Sequence, residues 1–183
     1  MKVQVVYSSL SGCTKKLAEG IYNGLNVADK SIHNLADGEP TLDGDVLLLG
    51  YWVDKGGPNA QMKAFMEKVS GKHVGVFCTL AFWADASHAQ ESLHNGADAL
   101  QERNTILGGY VCNGHMSQEM INAFRARGNG PHSATPASEA RWALLAEHPT
   151  DAEITLAVER FNERLTLLEQ LNAQGVEYSS IRV

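Results

Sequence analysis

Apolar runs and amphipathic stretches alternate along this chain. Val3–Tyr7, Val46-Leu47-Leu48-Leu49 and Val74-Gly75-Val76-Phe77 carry almost no polar side chain, as central strands of a parallel sheet covered on both faces do. The pattern predicts strands over 2–8, 30–35, 45–51, 73–79 and 105–113, and helices over 13–26, 59–70, 87–103, 117–127 and 151–173. In the first helix Leu17, Ile21 and Leu25 recur every four residues, and Ala18 widens the same stripe. Ser87 with Gln90 reads as a capping box opening the third. Two places break the rhythm. Only Ala36–Gly44 separates the second and third strands, and a crossover between parallel strands usually takes roughly a dozen residues or more, so a turn or a stub of helix is expected there. Gly128–Pro149 is a Gly-, Pro- and His-containing excursion with a short helix near Pro136–Ala146, and a lid, a partner surface and plain packing all fit it.

The chain's 183 residues, 44% of them hydrophobic, suffice for one α/β domain spanning 1–183, with the excursion at about 128–149. A net charge of −6 without a Lys/Arg cluster argues against nucleic acid or an anionic membrane as partner. The first strand begins at Lys2, leaving no room for a signal peptide, and no apolar stretch approaches membrane-spanning length. Cys13, Cys78 and Cys112 lack CxxC spacing and read as reduced thiols. A cytoplasmic location is therefore expected. His88, His94, His115 and His132 have no metal-ligand spacing with carboxylates or cysteines, so no metal is expected.

The chemistry lies first in the segment after the opening strand, Ser8-Ser9-Leu10-Ser11-Gly12-Cys13-Thr14. A strand that runs into hydroxyls, a glycine and a helix N-terminus can hold a phosphate through backbone N–H groups and the Ser9, Ser11 and Thr14 side chains. The segment has neither the Gly-Lys-Ser/Thr of a nucleoside triphosphate loop nor the Gly-x-Gly-x-x-Gly of a dinucleotide site. Cys13, at a helix N-terminus that lowers a thiol's pKa, is also a candidate redox-sensing thiol.

Ser9-Leu10-Ser11-Gly12-Cys13-Thr14 resembles the Ser/Thr-x-Thr-Gly-Asn-Thr loop of the flavodoxin family, with Ser11 and Cys13 as the two departures. Ser11 keeps a hydroxyl, whereas Cys13 keeps only its backbone N–H in place of an asparagine side chain. The resemblance covers roughly 1–113 and the last helix. It implies a three-layer sandwich around a five-stranded parallel sheet of order 2-1-3-4-5, with FMN at the switch between strands 1 and 3. Within the family the chain is similar to flavodoxin-domain proteins of anaerobic bacteria, some associated with reductases, including those that reduce bilirubin. By the same resemblance, the segments after strands 3 and 4 clasp the flavin ring. Here they are Tyr51, Trp52, Val53, Asp54, Lys55 and Gly56, and Thr79, Leu80, Ala81, Phe82 and Trp83. Any of Tyr51, Trp52, Phe82 and Trp83 could stack on the ring, at about 0.5–1.5 kcal/mol beyond burial. Gly56 is the candidate for a peptide that flips against the flavin, the alternative being a tight turn ahead of a helix begun by Pro58. Asp54 and Lys55 bear on redox potential, since a unit charge ~10 Å away at an effective dielectric of ~20 contributes about 1.7 kcal/mol. His88 is placed to touch the ring or ribityl chain, or else to sit on a helix surface.

These residues imply an FMN-binding one-electron carrier between a reductase and an acceptor, monomeric or dimeric, with no catalytic side chain. An acidic surface would steer such a carrier to basic redox partner proteins. One alternative is an FMN-dependent NAD(P)H or quinone oxidoreductase, with Arg125, Arg127, His132 and Arg141 supplying a pocket or subunit contact. The other is a flavin-free binding module, which the three loop hydroxyls argue against.

Overall fold

The computed structural model describes residues 1–128 and 133–183, so His132 lies outside the described residues. Five long strands are parallel: β1 (Val3–Tyr7), β2 (Lys30–Asn34), β3 (Val46–Asp54), β5 (His73–Leu80) and β6 (Thr105–Asn113). Their order is β2-β1-β3-β5-β6, and a two-residue strand, β4 (Gly57–Pro58), folds back antiparallel on the end of β3. Counting the long strands alone, this is the expected order, with a short hairpin added. A register shift between Val74 and Gly75 on β5 leaves Leu107 as an extra residue on β6.

Successive side chains of a strand point to opposite faces, and that alternation sorts the apolar runs into two cores. Val3, Val5, Val46, Leu48 and Phe77 face α1 (Cys13–Gly24) and α6 (Asp151–Ala173), where they meet Leu17, Ile21, Phe161 and Leu165. Val6, Leu47, Leu49, Val74 and Val76 face α2 (Ala60–Met66) and α3 (Ser87–Gln101), meeting Met62, Phe65, Leu93 and Leu100. Burial of each such side chain contributes about 1.5–3 kcal/mol relative to exposure. Helices α1 and α6 approach closely through two glycines one turn apart. A Cβ on Gly20 would lie 2.3 Å from Ile154 Cγ2, and one on Gly24 2.6 Å from Val158 Cγ1.

Several boundaries differ from those the pattern predicts. Pro58 belongs to β4, and α2 opens one residue past Asn59, so the proline does not begin that helix. The Ser87–Gln90 capping box does not form: the N-cap is Ala86, with no side-chain cap, and Gln90 Nε2 donates instead to the Ala84 carbonyl at 2.8 Å. Between β2 and β3 the expected stub is one 3-10 turn, Leu35–Asp37, fixed by Asn34 Oδ1 accepting from Ala36 N–H at 3.1 Å. The excursion carries α5 (Pro136–Leu144) after α4 (Gln118–Ala126). Helix α6 matches its expected span, capped by Thr150 and Glu153 in a reciprocal box.

The chain end runs along β6. Ile181 N–H donates to the Ile106 carbonyl at 2.9 Å, Ser180 Oγ accepts from Ile106 N–H at 3.0 Å, and Tyr178 is buried. An otherwise open sheet edge is thereby covered, which blunts edge-to-edge association. No helix of the described residues is long and apolar enough to cross a membrane.

Candidate functional site

The site forms where β1, β3 and β5 end. Ser8 fixes the start of the first loop: its N–H donates to the Gly50 carbonyl at 2.9 Å, and its hydroxyl accepts from Asn59 Nδ2 at 2.9 Å. The chain then opens. Ser9 Oγ accepts from Lys15 N–H at 3.2 Å, Ser11 Oγ donates to Cys13 Sγ at 3.2 Å, and Leu10 is exposed. Gly12 is the N-cap of α1, with φ of 94°, no side-chain cap and nothing within 4 Å of where a Cβ would be. That left-handed conformation suits glycine. With Lys15 N–H taken by Ser9, the Cys13 and Thr14 N–H groups have no acceptor among the described residues, and the helix dipole favours an anion there. Thr14 differs from the two serines. It is 1% exposed, and its hydroxyl lies 2.8 Å from that of Thr79, itself 3% exposed. The Thr14 side chain therefore braces α1 against β5 and brings only its backbone to the open side.

The second wall is the β3–β4 hairpin. Lys55 (φ 51°) and Gly56 (φ 80°) both occupy the left-handed region, the requirement of a two-residue type I′ turn matched to strand twist. The Gly56 carbonyl accepts from Asn95 Nδ2 at 2.7 Å, anchoring the turn to α3. Trp52 and Val53 are half-buried and line a 220 Å³ pocket with Leu10, Ser11 and Cys13 on one side and Thr79, Leu80 and Ala81 on another. Tyr51 is not part of this wall. It is fully buried in the α2–α3 core and donates to the Ser92 carbonyl at 2.8 Å, because alternation along β3 turns it away from Trp52. Burial, with Cys78 beside it, holds its pKa well above the ordinary tyrosine range. Phe82 is half-buried beneath the Arg141 guanidinium, 4.8 Å from its ring centroid. Trp83 is exposed and lines neither cavity. His88 is exposed on α3, with Cε1 3.8 Å from where a Gly56 Cβ would sit, and it lines the larger cleft.

The roof comes from residues that the sequence pattern did not assign to the site. Gly114, His115 and Met116 follow β6, and Met120 and Phe124 project from α4, all lining the small pocket. A signal was present: Met116, Met120 and Phe124 recur every four residues, and α4 buries none of its own side chains. Its apolar face looks into the cavity. Phe124 stacks on Trp142 of α5, with centroids 6.2 Å apart. Beyond it a cleft of about 1030 Å³ extends between the hairpin, α3 and α5.

Cys13 sits beneath this roof, 2% exposed, its Sγ accepting from His115 N–H at 3.1 Å. The burial removes the access that a redox-sensing thiol needs. His115 Nδ1 is 2.8 Å from the His148 carbonyl, and since a carbonyl only accepts, that nitrogen carries the proton. His148 Nδ1 in turn meets Glu153 Oε2 at 2.7 Å, and Lys16 Nζ donates to the Pro149 carbonyl at 2.6 Å. These contacts tie the start of α6 to the back of the loop. All three cysteines are free and buried, and burial pushes the Cys78 thiol up to about 12. Among the described residues no group of three or more His, Cys, Asp or Glu is placed to hold a metal.

A loop of this form at the switch between β1 and β3, under an open parallel sheet, defines a ligand-binding α/β protein of the doubly wound class. The chain belongs to the flavodoxin domain family, whose model matches residues 4–162. It is 32% identical over 128 residues to the flavodoxin-like domain-containing protein BilS of Clostridioides difficile, covering 68% of this chain and 73% of that one. The BilS protein of Clostridium symbiosum is 22% identical over 183 residues, covering 91% of this chain and 87% of its own. An archaeal flavodoxin of known structure superposes with a TM-score of 0.58 at 18% identity, over 92% of this chain and 99% of its own. Fusobacterium nucleatum flavodoxin bound to flavin mononucleotide gives a TM-score of 0.53 at 14% identity, over 92% and 97%.

Proposed function

We propose that this chain binds FMN non-covalently and carries electrons between a reductase and an acceptor protein. One observation carries the reading: a glycine-initiated helix N-terminus with two loop hydroxyls adjoins an apolar pocket walled by Trp52 at the carboxyl ends of β1, β3 and β5. The donor set fits a phosphate monoester. It consists of hydroxyls and N–H groups, and no carboxylate lines the small pocket. In this reading Ser9 and Ser11 hold the phosphate with the N–H groups of Gly12, Cys13 and Thr14. Trp52, Val53, Leu80 and Ala81 flank the ring, and Asp54, Lys55 and Gly56 form its rim. FMN, when bound, supplies reversible one- and two-electron chemistry. The residues around it bind, orient and exclude water. No side chain here needs to act as acid, base or nucleophile.

The test is an anaerobic reductive titration of the purified protein followed by its visible spectrum. Two separated one-electron steps support the carrier. A single two-electron step favours an FMN-dependent NAD(P)H or quinone oxidoreductase, the reading to which the 1030 Å³ cleft beside the ring pocket lends support. Steady-state NADH oxidation with a quinone acceptor would then follow. A colourless protein that takes up no added FMN refutes both.

A further inference from the structure

The large cleft has more room than a flavin ring requires. Ligand pockets for whole drug-sized molecules span roughly 300–1,000 Å³, and this cleft is about 1030 Å³ although the phosphate loop lines only the smaller pocket. Val53, Leu80, Ala81, Met116 and Phe124 line both cavities, so a molecule in the cleft lies beside whatever fills the ring pocket.

The walls specify the chemistry of that molecule. Phe124 and Trp142, stacked with an interplanar angle of 28°, and Phe82 provide flat apolar surfaces. Arg141 is the distinctive polar group. Its guanidinium lies over Phe82 at 4.8 Å, and its Nε is buried without a hydrogen-bond partner among the described residues. The other cations of the roof are engaged: Arg125 pairs with Glu139 through both carboxylate oxygens at 2.6 Å, and Arg127 lies over Phe124 at 5.5 Å. A buried unpaired donor is unfavourable, and a guanidinium stacked on an aromatic ring presents its planar fork to a carboxylate in bidentate geometry. Other charged or titratable groups lining the cleft are Asp54, Lys55, His88 and Glu91, on the hairpin and α3. Two carboxylates against the single ammonium of Lys55 leave that side net negative, which directs an anionic end to α5.

We infer that this cleft is a second binding site, for a small planar aromatic or conjugated carboxylate held by Arg141 alongside the flavin. The inference rests on the FMN reading for what occupies the smaller pocket. It is tested on the FMN-loaded protein with 2-naphthoate and its uncharged analogue 2-naphthamide, by equilibrium dialysis and by perturbation of the flavin absorption band. The acid is expected to bind about tenfold or more tightly than the amide, the contribution of hydrogen bonds to a charged group. Arg141→Met should remove that preference, and Arg141→Lys should restore part of it, with thermal melts verifying that both variants fold. Equal binding of acid and amide, or an acid preference that survives Arg141→Met, overturns the assignment. So does displacement of FMN by the acid in a one-for-one exchange, which would make the cleft the flavin's own. A protein that takes up no FMN defeats the flavin reading instead, and dialysis of acid against amide on that protein still decides the role of Arg141.

Discussion

Thr14 and Thr79 separate the structural part of the first loop from its binding part. Their hydroxyls are 2.8 Å apart, and the residues are 1% and 3% exposed, so no water replaces a lost partner. Thr14→Val keeps the shape of the side chain and strands the Thr79 hydroxyl, which costs about 1–3 kcal/mol. In a domain of this size each kcal/mol moves Tm by about 2–4 °C, so the expected fall is between about 2 and 12 °C. Thr79→Val should behave alike. The double variant replaces both partners by apolar groups, a change that is close to neutral, and it should return to within about 1 kcal/mol of the parent. Urea and thermal unfolding of the four chains without flavin measure the cycle. FMN affinity, followed by quenching of flavin fluorescence, measures the binding side. Because the Thr14 hydroxyl points inward, the double variant should keep its affinity, while Ser9→Ala should weaken FMN by about tenfold or more through a lost charge-assisted hydrogen bond. Additive losses of stability in the double variant would refute the paired-hydroxyl argument. A stable double variant that binds FMN tenfold more weakly would show that Thr14 lends its hydroxyl to the phosphate after all.

Two further outcomes follow from positions next to the site. Gly50→Ala would put a Cβ 2.2 Å from the ring of Phe77, which is fully buried, whereas Gly12→Ala meets no atom and only the left-handed φ of 94°. The first should cost more than the ~1–2 kcal/mol of the second, read as urea midpoints, and the reverse order would contradict the packing described. Cys78 is the other case: burial pushes its thiol from the ordinary value of 9 to about 12. The unfolded chain then releases its proton first. Stability should hold below pH 9 and fall as pH rises from 9 towards 12, because the unfolded state binds fewer protons there. The native protein should react slowly with a disulfide reagent at pH 8 and yield all three thiols on unfolding. Rapid titration of a thiol in the native state would count against this burial.

The sheet was legible because burial on both faces writes itself locally as continuous apolar runs. Val46–Leu49 and Val74–Phe77 leave little alternative to central strands, and the Ser9–Thr14 loop is contiguous in sequence. What failed did so for identifiable reasons. Tyr51 and Trp52 are neighbours in sequence and both aromatic, yet the pleat sends one into the core and the other to the pocket. Pro58 suggested a helix start, but the Lys55-Gly56 turn ahead of it folds the chain into a hairpin first. Ser87 lost its capping role by one residue. Arg141 is a pocket candidate from the sequence and does line the cleft. The four-residue recurrence of Met116, Met120 and Phe124 marks an apolar face, but where that face and His115 dock depends on the path of the chain after β6, which no local pattern specifies.

The floor and the roof of the site are built to different strengths, and that difference bears on function. The floor is pinned to the sheet and to α3 by the Thr14–Thr79 pair, by Asn95 on the Gly56 carbonyl, and by Asn113 Oδ1 accepting from Ala84 N–H at 2.7 Å. The first joins the start of α1 to β5 and the other two join a turn or loop to an element with its own buried core, which holds a binding geometry without reorganisation. The roof has less. Helix α4 buries no side chain, α5 buries only Ser138 and Trp142, and the Arg125–Glu139 pair that joins the helices is exposed to solvent, where such pairs contribute little. Segments with few buried contacts open at lower free energy than the core they cover. The Ser9–Thr14 loop and the hairpin thus suit a cofactor that stays, while α4 and α5 suit a ligand or partner that must enter and leave beside it.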